Sequence, residues 1–167
     1  SSDVCSSDLL HSSAVRGAAK VMEFLLQCGK DINESAVNGE TALHVAARCQ
    51  NLEALKYLVE QGADINKTDE DGYTILHSSA MGGEAKVMEF LLQCGKDINE
   101  LTVDGETALH VAARHENLEG LKYLVEKGAD VSKTDKDGYT VLHSSAVGGE
   151  AKVMEFLLQC GKDINEL

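Results

Sequence analysis

Histidine is the residue type in this chain best suited to catalysis or metal binding, and five of its six histidines share one setting. His44, His77, His110 and His143 each end a Thr-x-Leu-His string, and His11 also follows a leucine. A histidine close to a glutamate, as His110 is to Glu106, has the chemistry of a general acid–base pair. The strings recur every 33 residues, however, so each imidazole lacks a second ligand or catalytic partner of its own kind nearby. We therefore predict that these histidines are structural.

The other reactive side chains show no catalytic or metal-binding spacing. His115 lies five residues after His110, on another face of a short helix, so the two do not form a metal pair. Cys28, Cys94 and Cys160 occupy one position in alternate copies, 66 residues apart. Such copies would lie roughly 20 Å apart in a stack of helix pairs, too far for a disulfide. No phosphate-binding loop, nucleophile elbow or His-Glu-x-x-His string is present. We predict no enzyme activity, no cofactor and no metal.

The composition of the chain indicates which classes of molecule it can bind and in which cellular compartment it is found. The 167-residue chain carries a formal net charge of −13, which repels phosphate backbones and anionic lipid. No apolar run approaches the roughly 20 residues of a membrane-spanning helix, and no signal peptide is visible. Cysteines that are too far apart to form disulfides are typical of proteins in the reducing cytosol. We predict a cytoplasmic protein that binds neither nucleic acid nor membranes.

The elements that hold these residues repeat with the same period. In one copy, Leu43, Ala46 and Ala47 are spaced as in a short helix, and Leu52, Leu55, Leu58 and Val59 predict a second amphipathic helix. Gly62 marks its end, and residues 63–72 are rich in turn-forming Asp, Asn and Gly. A fixed period of this length is typical of a solenoid, whose units stack on their neighbours. We predict an array over residues 10–167, with units at 10–37 (partial), 38–70, 71–103, 104–136 and 137–167 (partial).

The two ends of the sequence lead to separate expectations. Residues 1–9, SSDVCSSDL, match the translation of a sequencing-library adapter, so we interpret them as a non-native tail; a natural Ser-rich disordered end is the alternative. Asp8 stands where other units have the Thr before the first helix, and we expect it to cap that helix. Neither end carries a polar capping unit. We therefore expect a fragment of a longer array, in which the last helix frays or the ends self-associate.

The 33-residue unit resembles the ankyrin repeat, whose Thr-Pro-Leu-His signature it carries with Ala, Ile or Val in place of Pro. The small pair Ala46-Ala47, the Gly after the second helix and the Asn in Asp-Ile-Asn recur in register, with Ser132 in place of the Asn in one unit. The resemblance implies an all-α ankyrin-repeat solenoid of helix-turn-helix units joined by β-hairpin or loop segments. It also implies that each signature histidine bonds the Thr and the backbone of the turn.

The resemblance further implies a concave groove that binds a partner protein through the hairpin tips and the exposed sides of the first helices. Tyr73 and Tyr139, alternating with Arg48 and Arg114, are the expected anchors, since Tyr and Arg are common interface hot spots. The full set of predicted groove residues is Arg48, Cys49, Glu70, Asp71, Tyr73, Met81, Asp104, Glu106, Arg114, His115, Lys136, Asp137, Tyr139 and Val147. We predict a non-catalytic scaffold for a protein–protein interaction. The alternative is a targeting or regulatory arm of a larger enzyme, channel or effector.

Overall fold

The computed structural model describes the backbone of residues 4–165 and the side chains of residues 9–161. The described backbone forms ten α-helices, in chain order α1 (Val4–Arg16), α2 (Ala19–Gln27), α3 (Ala42–Arg48), α4 (Leu52–Glu60), α5 (Ile75–Ala80), α6 (Ala85–Gln93), α7 (Ala108–Arg114), α8 (Leu118–Glu126), α9 (Val141–Gly148) and α10 (Ala151–Asn165).

The helices form two layers. The first helices of the units, α1, α3, α5, α7 and α9, contact one another in chain order, and the second helices form a parallel series in the same order. The only β pairings among the described residues are single bridges, Ser35 with Thr41 and Thr134 with Thr140. This arrangement confirms the predicted all-α solenoid of stacked helix-turn-helix units.

The core is a strip along the interface between the layers. Leu43, Leu76 and Leu109, which precede the signature histidines, are each no more than 1% exposed. Small residues such as Ala46 and Ala112, both fully buried, let neighbouring first helices approach closely. Every interior unit contributes the same buried positions, so the core grows by one interface per unit.

Each first helix from α3 onward begins with a capping box. The hydroxyl of the preceding Thr accepts from the backbone of the histidine three residues later, whose ring in turn accepts from the Thr backbone. These bonds satisfy amides that a helix leaves without partners at its first turn. The Thr-x-Leu-His string is therefore a helix start, which agrees with the predicted structural role of its histidine.

Two helix boundaries differ from the sequence prediction. Helix α1 begins at Val4, so Asp8 lies within the helix, and the prediction that it caps the helix is wrong. Helix α10 runs through Gly161 to Asn165, although Gly was expected to end it. At Gly29 and Gly95 the chain turns with positive φ, and the loops that follow are held by Asn33 and Asn99 through bonds from the next unit (2.7 and 3.0 Å).

In alternate units, the turn between the two helices contains a non-glycine residue in a strained backbone conformation. Gln50 and Glu116 adopt positive φ (57° and 61°) at the position that Gly17 and Gly149 occupy in other units. A side chain in this left-handed region is strained. Gln50 offsets part of that strain, because its amide donates to the carbonyl of Ser79 in the next unit at 2.9 Å.

Candidate functional site

The hairpin tips form a regular row along one side of the array. Within each tip a backbone bond closes the turn, as from Asp69 to the carbonyl of Tyr73 (3.1 Å) and from Asp135 to that of Tyr139 (2.9 Å). A glycine with positive φ completes each turn, and at Gly72 a Cβ would lie 2.7 Å from the backbone nitrogen of Val103. Only glycine, which has no Cβ, fits where two backbone segments approach so closely.

Successive tips are also joined to one another. The backbone amides of Glu70, Val103 and Lys136 donate to carbonyls of the preceding tip, at 3.2, 3.0 and 2.8 Å. The row is therefore fixed by main-chain bonds that do not depend on the side chains displayed. Within two of the turns, the side chains of Asp69 and Asp135 accept a further bond from the backbone amides of Tyr73 and Tyr139, at 2.8 Å in each case.

The signature histidines link each unit to the next. The backbone amide of each Thr donates to the histidine Nδ1, at 3.1–3.2 Å, so the proton of the neutral ring is on Nε2. From there His44, His77 and His110 donate to the carbonyls of Tyr73, Glu106 and Tyr139 (3.0–3.2 Å). Burial lowers the pKa of all three rings. These histidines are neutral structural donors at the base of the hairpins.

Tyr73, Glu106 and Arg114 form a polar cluster between two units, here called the clasp. The Tyr73 hydroxyl donates to Oε2 of Glu106 at 3.1 Å and accepts from Nη2 of Arg114 at 2.6 Å. Arg114 also holds the carboxylate with both terminal nitrogens, one of them at 3.0 Å from Oε2. The clasp joins a residue of unit 71–103 to two residues of unit 104–136.

The charges of the clasp follow from its surroundings. Burial, assisted by the adjacent Glu106 carboxylate, raises the pKa of Tyr73 to about 12. Burial alone would raise the pKa of Glu106, but the hydrogen bonds and charge of Arg114 outweigh it and hold that pKa below its ordinary value. At neutral pH the clasp is thus a neutral phenol hydrogen-bonded to an ion pair.

Unit 38–70 has the same ion pair without the tyrosine. Arg48 Nη1 lies 2.6 Å from Oε1 of Glu40, and the side chain of Asn38 donates to the other carboxylate oxygen at 2.9 Å. Glu40, Tyr73, Glu106 and Tyr139 occupy equivalent positions in successive units, as do Arg48, Met81, Arg114 and Val147. Units carrying Glu and Arg therefore alternate with units carrying Tyr and an apolar residue.

The surface between the hairpin tips and the first helices, here called the groove, holds two adjoining depressions. One, of about 340 Å³, is lined by acidic residues around the clasp: Asp71, Tyr73, Asp104, Glu106, Arg114, Asp135 and Asp137. The other, of about 290 Å³, shares Glu106, Arg114 and Asp135 with it and adds Tyr139, His143, Ser144, Ala146 and Val147. The groove thus has an acidic part next to a more apolar part.

The structure brings eight of the fourteen predicted groove residues to these depressions: Asp71, Tyr73, Asp104, Glu106, Arg114, Asp137, Tyr139 and Val147. The other six line neither depression: Arg48, Cys49, Glu70, Met81, His115 and Lys136. Of these, all but Met81 are exposed on the tips or at the ends of first helices. The predicted anchors differ from each other, because Tyr139 is 53% exposed whereas the Tyr73 hydroxyl is held in the clasp.

Glu106 was expected to be available to a partner, but its side chain is only 12% exposed and is paired with Arg114. Asn51 and Asn117, which were not among the predicted site residues, also have structural roles. Each caps a second helix, and Asn117 further donates to the carbonyls of Ala80 and Gly82 in the preceding unit. The signal for the clasp was present in the strict alternation of Glu with Tyr and of Arg with an apolar residue.

Two further observations concern the described residues. No group of three or more His, Cys, Asp or Glu side chains within them is placed to hold a metal ion. No helix among them is both long and apolar enough to cross a membrane.

Comparison with known proteins identifies the repeat. A family model described as ankyrin repeats (3 copies) matches the chain in three overlapping stretches, residues 10–102, 61–135 and 94–167. Together these matches extend over residues 10–167. No curated protein compared with the chain matches it significantly.

Proposed function

The chain belongs to the ankyrin repeat family, and from this premise we propose that it binds a partner protein through the groove. Ankyrin repeats generally mediate protein–protein interactions, and the family is typically non-catalytic. The proposal for this chain concerns which surface it uses and what that surface recognises.

The observation that carries the proposal is the pair of adjoining depressions in the groove. Together they combine exposed carboxylates, among them those of Asp71, Asp104 and Asp137, with the half-exposed ring of Tyr139 and the apolar side chain of Val147. Interfaces commonly place an aromatic or apolar anchor beside a polar rim. The depressions lie where the tips are fixed by backbone bonds, so the surface is preorganised and binding costs little ordering entropy.

Charge supports a protein as the partner. A net charge of −13 disfavours nucleic acid, and the aspartates of the groove favour a segment with basic side chains. Free exposed thiols at Cys28, Cys49 and Cys94 support a reducing, intracellular location, which we include in the proposal. If the array is instead the targeting arm of a larger enzyme, channel or effector, the same groove is expected to make the contact.

We also propose a weaker self-association through the ends of the array. Phe24 is 63% exposed and Val21 49% exposed, whereas Val87, the equivalent of Val21, is 1% exposed. The equivalent Phe90 is partly buried and lies under Lys56 of the preceding unit, with the ammonium 6.0 Å from the ring centroid. Exposed apolar faces of this kind favour contacts between copies at high concentration.

The groove proposal is tested with two variants of equal charge change. The first carries Asp71→Lys and Asp104→Lys in the groove, and the second carries Glu60→Lys and Glu126→Lys, exposed residues at the ends of second helices in the other layer. Proteins retained by the unmodified chain are identified, and their affinity for all three chains is measured by calorimetry. We expect the groove variant to weaken binding at least tenfold and the second-layer variant to leave it within about twofold.

Equal weakening by both variants would indicate a response to net charge alone, and unchanged binding by the groove variant would refute the groove assignment. Both variants are expected to fold, because none of the four carboxylates makes a side-chain hydrogen bond or ion pair in the described residues. Circular dichroism and the unfolding midpoint check this before binding is measured.

A further inference from the structure

Three successive hairpin tips each display an aspartate at the same position, immediately before the glycine of the turn. Asp71, Asp104 and Asp137 are all exposed, and their side chains make no hydrogen bond or ion pair among the described residues. The nearby carboxylates of Asp69 and Asp135 differ, because each accepts bonds from backbone amides of its own turn. The three aspartates at the tips are therefore displayed on a fixed backbone without serving it.

The charge of these aspartates is not balanced within the depression of about 340 Å³ that they line. The cation among its lining residues is Arg114, and that guanidinium is held by the Glu106 carboxylate and the Tyr73 hydroxyl. The clasp thus uses its own positive charge internally. The complement of this part of the groove is a set of cations supplied by the partner.

Main-chain bonds set the distance from one aspartate to the next. The amide of Val103 donates to the carbonyl of Asp71 at 3.0 Å, and the amide of Lys136 donates to the carbonyl of Asp104 at 2.8 Å. Each following aspartate comes one residue after the amide that makes this bond. Since packed helices lie roughly 8–10 Å apart, we take roughly 8–10 Å as the period of the row of carboxylates.

Among the regular conformations of a peptide, the polyproline II helix matches this period with the narrowest chain. It has three residues per turn and a rise of about 3.1 Å, so every third side chain points to the same side at intervals of about 9.3 Å. A β-strand repeats every second residue, at about 6.6 Å, which is too short. An α-helix matches only at every seventh residue, about 10.5 Å, and its diameter of about 10–12 Å is large for the depression.

We propose that the groove binds a polyproline II segment with Lys or Arg at every third position, one basic side chain for each of Asp71, Asp104 and Asp137. This inference rests on the groove as the binding surface and adds the conformation and spacing of the bound segment. Such a segment is already extended in solution, so binding costs little ordering entropy. The ring of Tyr73 lines the same depression, and Pro-rich segments dock in grooves lined by aromatic rings.

The tip of unit 38–70 marks where the row of carboxylates stops on that side. Asn38 stands at the position of the aspartates, and its side chain donates to Glu40 at 2.9 Å. It therefore offers no charge to a basic residue. Asn38 also shows that this position accepts asparagine without loss of the turn, which makes Asp→Asn a suitable substitution for a test.

The test uses the full chain and synthetic peptides that are acetylated and amidated at their ends. The first peptide repeats Lys-Pro-Pro three times, and the second has the same composition with its three lysines adjacent. The third is an Ala-rich helical peptide of equal charge with Lys at every seventh position. Affinity is measured by NMR titration at low ionic strength, where surface charges are least screened. We expect the first peptide to bind at least about fivefold more tightly than either of the others, with shifts at the hairpin tips.

Two chain variants with the same change in net charge show where the peptide binds. One carries Asp71→Asn, Asp104→Asn and Asp137→Asn, and the other carries Glu53→Gln, Glu60→Gln and Glu126→Gln on exposed positions of the second helices. The tip variant should bind the Lys-Pro-Pro peptide no better than the peptide with adjacent lysines. The second-helix variant should keep its affinity within about twofold.

Equal affinity for the first two peptides, tighter binding of the helical peptide, no binding of any peptide, or an affinity that the tip variant leaves unchanged would each overturn the inference. These results leave the groove proposal standing, because it is tested separately with a whole partner protein. Failure of the groove itself appears instead as unchanged binding of that protein to the chain with Asp71→Lys and Asp104→Lys.

Discussion

Removal of one oxygen atom from Tyr73 should weaken the contact between two units, whereas the same change at Tyr139 should not. Tyr73→Phe keeps the ring and its edge contact with His77 but deletes the hydroxyl that donates to Glu106 and accepts from Arg114. Tyr139→Phe makes the identical chemical change where the hydroxyl has no bond among the described residues. The pair therefore isolates the clasp from the aromatic ring.

The size of the effect follows from the bonds lost. Hydrogen bonds to charged groups contribute about 1.5–3 kcal/mol to stability, but the Arg114 side chain is 30% exposed, and solvent screens such partly exposed charges. We therefore expect Tyr73→Phe to lower the free energy of unfolding by about 1–2 kcal/mol, which is a fall of about 2–8 °C in Tm for a chain of this length. Tyr139→Phe should stay within about 0.5 kcal/mol of the unmodified chain.

Urea denaturation measures the two free energies, and hydrogen exchange locates the loss. Because a repeat array opens locally, Tyr73→Phe should speed exchange in the hairpin and first helix of unit 104–136 more than in unit 38–70. Equal effects of the two substitutions, or a Tyr73→Phe chain as stable as the parent, would refute the interpretation of the cluster as a clasp.

Two further predictions concern stability. Burial lowers the folded-state pKa of His44, His77 and His110, whereas the unfolded chain binds protons near pH 6.5. The unfolded state therefore gains protons that the folded state does not as the pH falls below about 6.5. Stability should accordingly decline by up to about 4 kcal/mol per pH unit for the three rings, and an unfolding midpoint in urea that stays constant from pH 7.5 to 5.5 would contradict this. At the inter-helix turn, Glu116→Gly should raise stability by about 0.5–1 kcal/mol, since it removes a strained left-handed side chain. Gln50→Gly should gain less or lose stability, because it also removes the bond to the next unit, and thermal unfolding of the two variants decides between these results.

The sequence predicted the elements within a unit well because their signals are local. The apolar spacing from Leu52 to Val59 placed α4 at Leu52–Glu60, and the recurring Thr-x-Leu-His string marked the starts of the first helices. The structural role of the histidines also followed from periodicity, because a ring that recurs once in each unit serves the unit and not a single active site.

Contacts between units were harder to predict because they depend on how one unit is rotated against the next. Tyr73 looked like a surface anchor, yet the stacking brings Arg114, 41 residues later, within 2.6 Å of its hydroxyl. The ties after two second helices were missed for the same reason: the loops that follow Gly29 and Gly95 are held by bonds from the next unit to Asn33 and Asn99. A pattern within one unit carries no information on such ties.

The most direct test of the groove as the binding surface is amide hydrogen exchange of the whole chain, alone and saturated with a partner protein identified by retention on it. We predict that added protection appears at the hairpin tips, residues 69–73, 102–106 and 135–139, and at the adjoining ends of the first helices. The second helices, α4 and α8, should exchange as in the free chain. Protection confined to those second helices, with the tips unchanged, would contradict the proposed function.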